Sequence, residues 1–232
     1  MMKGLSRLEL KYGRYAIRNL TLYIAVANIA IVFISQLIFG GKEYSAISAF
    51  ALIPELVLKG QIWRLVTFIF LPDNFSFVWI FFTAYLTYMI GQSLELYWGR
   101  FKLNVYFFTG MLGSIIAAFI SGAGTTGYYL NLSLFLAYAT LFPNQEFLLF
   151  FMLPVKVKWL GIIDAAFLIL SLFNYIRAGI WHMAAAIIVS FINYFIFFGD
   201  DFIKWIKLKY QVAQNRKRFF DQVRPYNRDR RF

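Results

Sequence analysis

The chain holds one histidine, His182, within RAGIWHMAAAIIVS at residues 177–190. An imidazole that opens an apolar run can do three things. It can act as general base for a hydroxyl nucleophile, ligate a metal, or serve as a polar contact between helices. Polar groups at membrane depth are costly and tend to be functional, although the first turn of a helix can also sit at the interface. Other chemistry is sparse. There is no cysteine, which excludes disulfides, thiolate nucleophiles and thiolate metal sites and leaves the redox compartment open. A zinc site would need carboxylates, and few lie in the apolar runs, so no metal and no cofactor is expected. Asp164 lies near Lys158, where it has neighbouring helices to bond but no partner that spacing selects. Glu95, near Arg100, reads as an ion pair or helix contact rather than an acid catalyst.

The elements that must position these residues follow from composition. Of 232 residues, 61% are hydrophobic, 21% aromatic and only 15% charged, whereas a soluble domain is nearer half apolar and a quarter charged. This predicts an integral membrane protein. Six apolar segments, at about 19–39, 77–97, 102–121, 126–142, 158–176 and 179–198, each predict a crossing helix. The fourth is short. FLLFFMLP at 147–154 follows it, with Pro143 and Pro154 predicting a bent connection near the interface. The N-terminus has no short apolar core ending in small residues and does not read as a cleavable signal peptide. Gly110, Gly113 and Ser114 are small residues expected to mark close helix packing.

Charge sets the expected orientation. Nineteen of the 23 Lys and Arg fall in residues 1–18, the second-to-third turn, the fourth-to-fifth connection and the tail from 200 onward. Lys42, Lys59, Arg64 and Arg177 are left for the other side. Both termini are therefore expected in the cytoplasm. Residues 40–76 are too long and too patterned for a simple turn. They predict an amphipathic hairpin half-embedded in the outer interface, with Trp63 as an anchor. The formal net charge of +12 is explained by the same asymmetry. The tail, FIKWIKLKYQVAQNRKRFFDQVRPYNRDRRF, predicts an anchor on anionic headgroups; its competing reading is RNA docking, and nucleic acid is not the expected partner.

GQIWRLVTFIFLP, then GQSLELYWGRFKLNVYFFTGMLGS, then LFP at 141–143, then a histidine opening a last helix: across about 50–198 this order resembles the rhomboid family of intramembrane serine proteases. Trp63–Arg64 corresponds to the family's WR pair in the first loop. Leu94–Glu95 with Trp98–Gly99 corresponds to its pattern at the end of the second helix. The resemblance implies a Ser–His dyad, with the serine in a GxSG motif opening the fourth helix and the histidine opening the sixth. His182 occupies the histidine's place, followed by the small Ala184, Ala185 and Ala186, but the glycine seven residues on is Val189. The nucleophile position falls on Tyr128, or Tyr129 with a slip of one, in TTGYYLNLSLF, where only Gly127 remains of the motif. The second helix's polar pair has become Trp79 and Thr83. Ser133, about one turn (~5.4 Å) deeper, is a weak substitute nucleophile, with Thr125 and Thr126 just above. With its partner gone, His182 is expected to hydrogen-bond Tyr128, Tyr129 or Asn131.

The resemblance thus implies an all-α membrane protein of six transmembrane helices, a rhomboid-like bundle with an amphipathic first loop. Residues 1–18 form a basic cytoplasmic N-terminus, 19–199 the membrane domain and 200–232 a basic cytoplasmic tail, in the cell membrane. The expected function is that of a pseudoprotease. Its partners are the lipid bilayer and single-span membrane proteins, bound without cleavage; the oligomeric state is not legible. Two alternatives stand beside it: a divergent intramembrane serine endopeptidase, and a scaffold that recruits anionic partners through its tail. No transporter signature is present, because the spans lack paired broken helices and charged midplane residues.

Overall fold

The computed structural model describes residues 2–40, 43–72, 75–149 and 153–228. The chain is a mostly helical membrane protein, with 81% of residues in helix. It divides into two units, Met2–Tyr194 and Phe195–Phe232.

In the first unit, α1 (Met2–Tyr12) and a 3-10 turn (Gly13–Tyr15) precede α2 (Leu20–Phe39). The N-terminal segment is pinned by a side-chain amide. Buried Asn104 accepts from the Ile17 N–H and donates to the Ile17 carbonyl, both at 2.9 Å. After α2 come three short helices, α3 (Glu43–Phe50), α4 (Pro54–Leu58) and α5 (Arg64–Thr67), where sequence predicts one amphipathic hairpin. Pro54 at the first turn of α4 costs no hydrogen bond there. Ala46 of α3 and Val57 of α4 are buried, as are Ala51, Leu52 and Phe68 in the segments that join and follow these helices, and Trp63 is 52% exposed.

Next are α6 (Phe77–Trp98) and α7 (Arg100–Ser121), joined by Gly99 alone. Gly99 caps both helices: its N–H donates to the Glu95 carbonyl at 2.9 Å, and its carbonyl accepts from the Leu103 N–H at 3.3 Å. Its φ of 83° and ψ of 157° lie in a region open essentially to glycine. Gly99→Ala is therefore expected to destabilise the protein by about 1–3 kcal/mol. Thermal unfolding in detergent checks this against Leu96→Ala, whose side chain is 82% exposed; equal melting of the two variants contradicts it.

The short α8 (Tyr128–Leu141) has α6, α7 and α9 (Val157–Arg177) packed against it. Between α8 and α9 the bent connection is a hairpin of β1 (Glu146–Leu149) and β2 (Leu153–Lys156), with Pro154 opposite Leu148. Phe147 from β1 stacks on Tyr138 of α8, ring centroids 5.7 Å apart. The last helix, α10 (Trp181–Arg228), begins in this unit.

All six apolar segments are helical. Among the described residues, four helices are long and apolar enough to cross a membrane: Leu20–Ile38, Arg100–Ser121, Val157–Arg177 and Trp181–Gly199. At 14 residues, α8 is about 21 Å long, short of the roughly 30 Å hydrocarbon core. Small residues set the close approaches. A side chain on Gly113 would meet Val189 of α10 at 2.5 Å, and one on Gly110 would meet Leu130 of α8 and Asn193 of α10. Ser114 does not bridge helices; its hydroxyl donates to the Gly110 carbonyl at 2.9 Å.

In the second unit α10 continues as helix to Arg228, so the expected boundary at 199–200 falls inside a continuous helix. Leu208, Tyr210, Val212, Phe219 and Phe220 are exposed there, and the Arg216 guanidinium lies 5.7 Å from the Phe220 ring centroid.

Candidate functional site around the short helix

The first loop is fastened over the start of α8. Arg64 is 4% exposed, donating from Nε to Gln61 Oε1 at 2.7 Å and from a terminal nitrogen to the Ala51 carbonyl at 2.8 Å. Burial lowers its pKa from the ordinary guanidinium value, which still leaves it charged. Thr67 donates to the Phe50 carbonyl at 2.9 Å. Leu52 and Thr125 exchange two backbone hydrogen bonds, at 3.0 and 2.9 Å. Gly127 donates to the Phe68 carbonyl at 3.0 Å, and a Cβ on it would sit 3.1 Å from the Ile69 backbone. Absence of a side chain lets the first loop lie directly on this turn. Of the Trp63–Arg64 pair, the Arg is thus the internal tie and the Trp faces outward.

Beneath the loop lies a cavity of about 540 Å³ lined by Thr125, Thr126, Tyr128, Tyr129, Tyr175 and Met183, among others. Tyr128 and Tyr129 meet edge to face, centroids 5.2 Å apart. The Tyr129 hydroxyl reaches that of Tyr175 on α9 at 3.5 Å, the outer limit of a hydrogen bond. Thr126 Oγ1 accepts from the Tyr128 N–H at 3.4 Å, and Thr125 Oγ1 donates to the Thr126 carbonyl at 3.4 Å.

His182 is half-buried, and its neighbour Met183 lines this cavity instead. The hydrogen bond expected from His182 to Tyr128, Tyr129 or Asn131 is not formed among the described residues. The side of α10 turned to α8 carries Met183 and Ser190, seven residues apart, and His182 lies off that side. The α10 residue level with the start of α8 is Ser190, whose hydroxyl donates to the Tyr129 carbonyl at 2.7 Å. His182 precedes Ser190 by eight residues, about 12 Å along the helix.

Ser133 faces the other way. It is 1% exposed, donates to the Leu130 carbonyl at 3.0 Å and pairs with the Tyr106 hydroxyl of α7 at 2.9 Å. Thr83 is spent within α6, 3.1 Å from the carbonyls of Trp79 and Ile80. Glu95, at the other end of α6, accepts from the Asn19 N–H at 3.0 Å and lies 3.4 Å from Arg100 Nε. Glu95 and Gly99 thus tie the start of α2 to the α6–α7 turn.

Ser133 belongs to a polar lattice that sequence reasoning missed. Asn193 on α10 donates to the Tyr106 carbonyl at 3.1 Å and accepts from Thr109 at 2.8 Å. The spacing was visible: Tyr106 and Thr109 on α7, and Ser190 and Asn193 on α10, recur at i and i+3 inside apolar runs, so each pair lies on one helix face.

A second cavity, about 600 Å³, opens between α6 and α9 with α8 as its floor. Both helices pack on α8, and no substantial interface joins them to each other among the described residues. Phe82, Tyr85 and Met89 line one side, Leu132 and Phe135 the floor, and Ile163 and Phe167 the other side. Asp164, 8% exposed, also lines it. Lys158 does not pair with Asp164; its ammonium lies 5.3 Å from the Trp159 ring centroid.

Fold and site together define a helical membrane protein, with one cavity between the first loop and the start of a short central helix and an apolar groove between α6 and α9. No protein-family model, no curated protein and no solved structure matches the chain.

Proposed function

We propose that this chain is a rhomboid-like membrane protein that has lost proteolysis and binds transmembrane segments of other proteins laterally, in the groove between α6 and α9. All six apolar segments make crossings in this reading, the fourth not by α8 alone, which is too short, and both termini are in the cytoplasm. The observation that carries it is the groove itself. It is lined by apolar side chains and floored by the helix whose first turn the resemblance makes the nucleophile's place. A cutting enzyme needs a hydroxyl within hydrogen-bond reach of its base. Here Ser133 is engaged by Tyr106, two tyrosines open α8, and His182 lies about 12 Å along α10 from their level.

A fluorophosphonate probe tests the loss of catalysis. The purified, folded protein is expected to remain unlabelled, and Tyr128→Ser is expected to remain unlabelled as well, because His182 lies off the side of α10 turned to α8. Labelling of the wild type that disappears in His182→Ala would restore the endopeptidase reading.

The scaffold reading has its own support in the second unit. The exposed Leu208, Tyr210, Val212, Phe219 and Phe220 are interspersed with basic residues along a helix, a composition suited to an anionic lipid surface. The two activities are compatible, since one uses the groove and the other the tail.

A further inference from the structure

We propose that the groove selects membrane helices carrying one Lys or Arg, which pairs with Asp164; this rests on the reading that the groove binds membrane helices. Leu160, Ile163, Asp164 and Phe167 line the groove at the i, i+3, i+4, i+7 spacing of one helix face. Asp164 thus lines the edge of the groove beside three apolar neighbours, where that face meets the buried seam of Val157, Gly161, Asp164 and Leu168 that packs on α8. It is more than nine-tenths buried, and its Oδ2 has no hydrogen-bond partner.

A buried polar group without a partner is costly, and an isolated charge far more so. Such residues inside a membrane usually pair or mark a binding path. The missing partner must bring a donor. A lipid tail covers the apolar walls but donates nothing. The backbone of an incoming helix has its N–H groups already spent. The donor is thus a side chain, and a cation complements a carboxylate best. The benefit is mutual, since a Lys or Arg within the client's own span is equally costly unpaired. Depth is specified too: Asp164 is the eighth residue of α9, about 10 Å from its start. Glu146, which also lines the groove and is exposed, adds a second carboxylate that suits a basic residue flanking the client's span.

The test uses the full chain in phosphatidylcholine nanodiscs, with a photocrosslinking amino acid at Phe167 and synthetic polyleucine helices bearing Lys, Leu or Glu at the matching depth. The Lys helix is expected to bind about tenfold more tightly than the Leu helix, as one favourable intramembrane polar contact allows. Asp164→Asn and Asp164→Leu are expected to abolish that preference. Asp164→Leu is also expected to melt a few degrees higher than wild type, because an unpartnered carboxylate is removed. Equal crosslinking of the Lys and Leu helices overturns the charge selection and leaves the groove reading standing. No crosslink to any helix, or crosslinks only to lipid or to a second copy, overturns both. A large loss of stability in Asp164→Asn gives the residue a structural role and overturns the inference as well.

Discussion

Gly113→Val is expected to destabilise the protein by about 1–3 kcal/mol, the usual cost of forcing extra methyl groups into a packed interface. A Cβ at this position meets Val189 Cγ1 at 2.5 Å, so α7 and α10 would have to separate. The sign is diagnostic. Glycine inside a helix is itself unfavourable by about 0.8–1 kcal/mol relative to alanine. Without the contact, a side chain at Gly113 would be neutral or mildly stabilising. Val189→Ala in the same chain is expected to recover most of the loss, giving a coupling of about 0.5–3 kcal/mol between the two sites. Unfolding of the four chains of this cycle in one detergent measures it. Additive effects would mean that α10 does not sit in this register. That matters for function, because the same register carries His182 beyond the start of α8. Val189 stands where the resemblance expects glycine, and the close approach is instead made by a glycine on α7.

Arg64→Leu is expected to cost about 2–4 kcal/mol and to loosen the first loop. The guanidinium satisfies the carbonyl of Ala51, a buried residue, and the side chain of Gln61. A hydrogen bond from a charged donor is worth about 1.5–3 kcal/mol, and leaving a buried acceptor unmet adds to the loss. The Ala51 carbonyl belongs to the residue before Leu52, whose backbone pairs with Thr125, so the effect should spread to the covering of Tyr128 and Tyr129. Hydrogen exchange is expected to quicken at Leu52 and Thr125 first. Arg64→Lys should recover only part, because an ammonium lacks the planar fork that reaches both acceptors. Unchanged exchange and melting in Arg64→Leu would remove Arg64 from this role.

These residues also show what the sequence discloses and what it conceals. Helix positions were legible because apolar runs of span length have few other uses; the segment expected at 158–176 is helix at Val157–Arg177. The internal role of Arg64 was not. Its acceptor lies 13 residues away, and an arginine among apolar residues in a loop reads as interfacial. The sequence predicts only a bend where Glu146–Leu149 pairs with Leu153–Lys156, because Pro154 argues against a strand unless its missing N–H falls where the ladder needs none. The partner of His182 failed for a different reason. Counting within α8 and within α10 locates each residue on its own helix, but the placing of α10 along α8 is set by Ser190 on Tyr129, and along α7 by Gly113 against Val189. Such contacts join residues remote in sequence. Asp164 stands out in its apolar run, but the unpartnered state of its Oδ2 is a property of the packed helices around it.

The central claim is that the groove between α6 and α9 holds a membrane helix that the protein does not cut. The most direct measurement incubates the full chain, with a photocrosslinker at Phe167, with a labelled single-span protein carrying a Lys at the depth of Asp164. The account predicts a crosslinked adduct containing the intact partner, and no fragments at any time. Fragments that appear with the wild type and vanish with His182→Ala would contradict it.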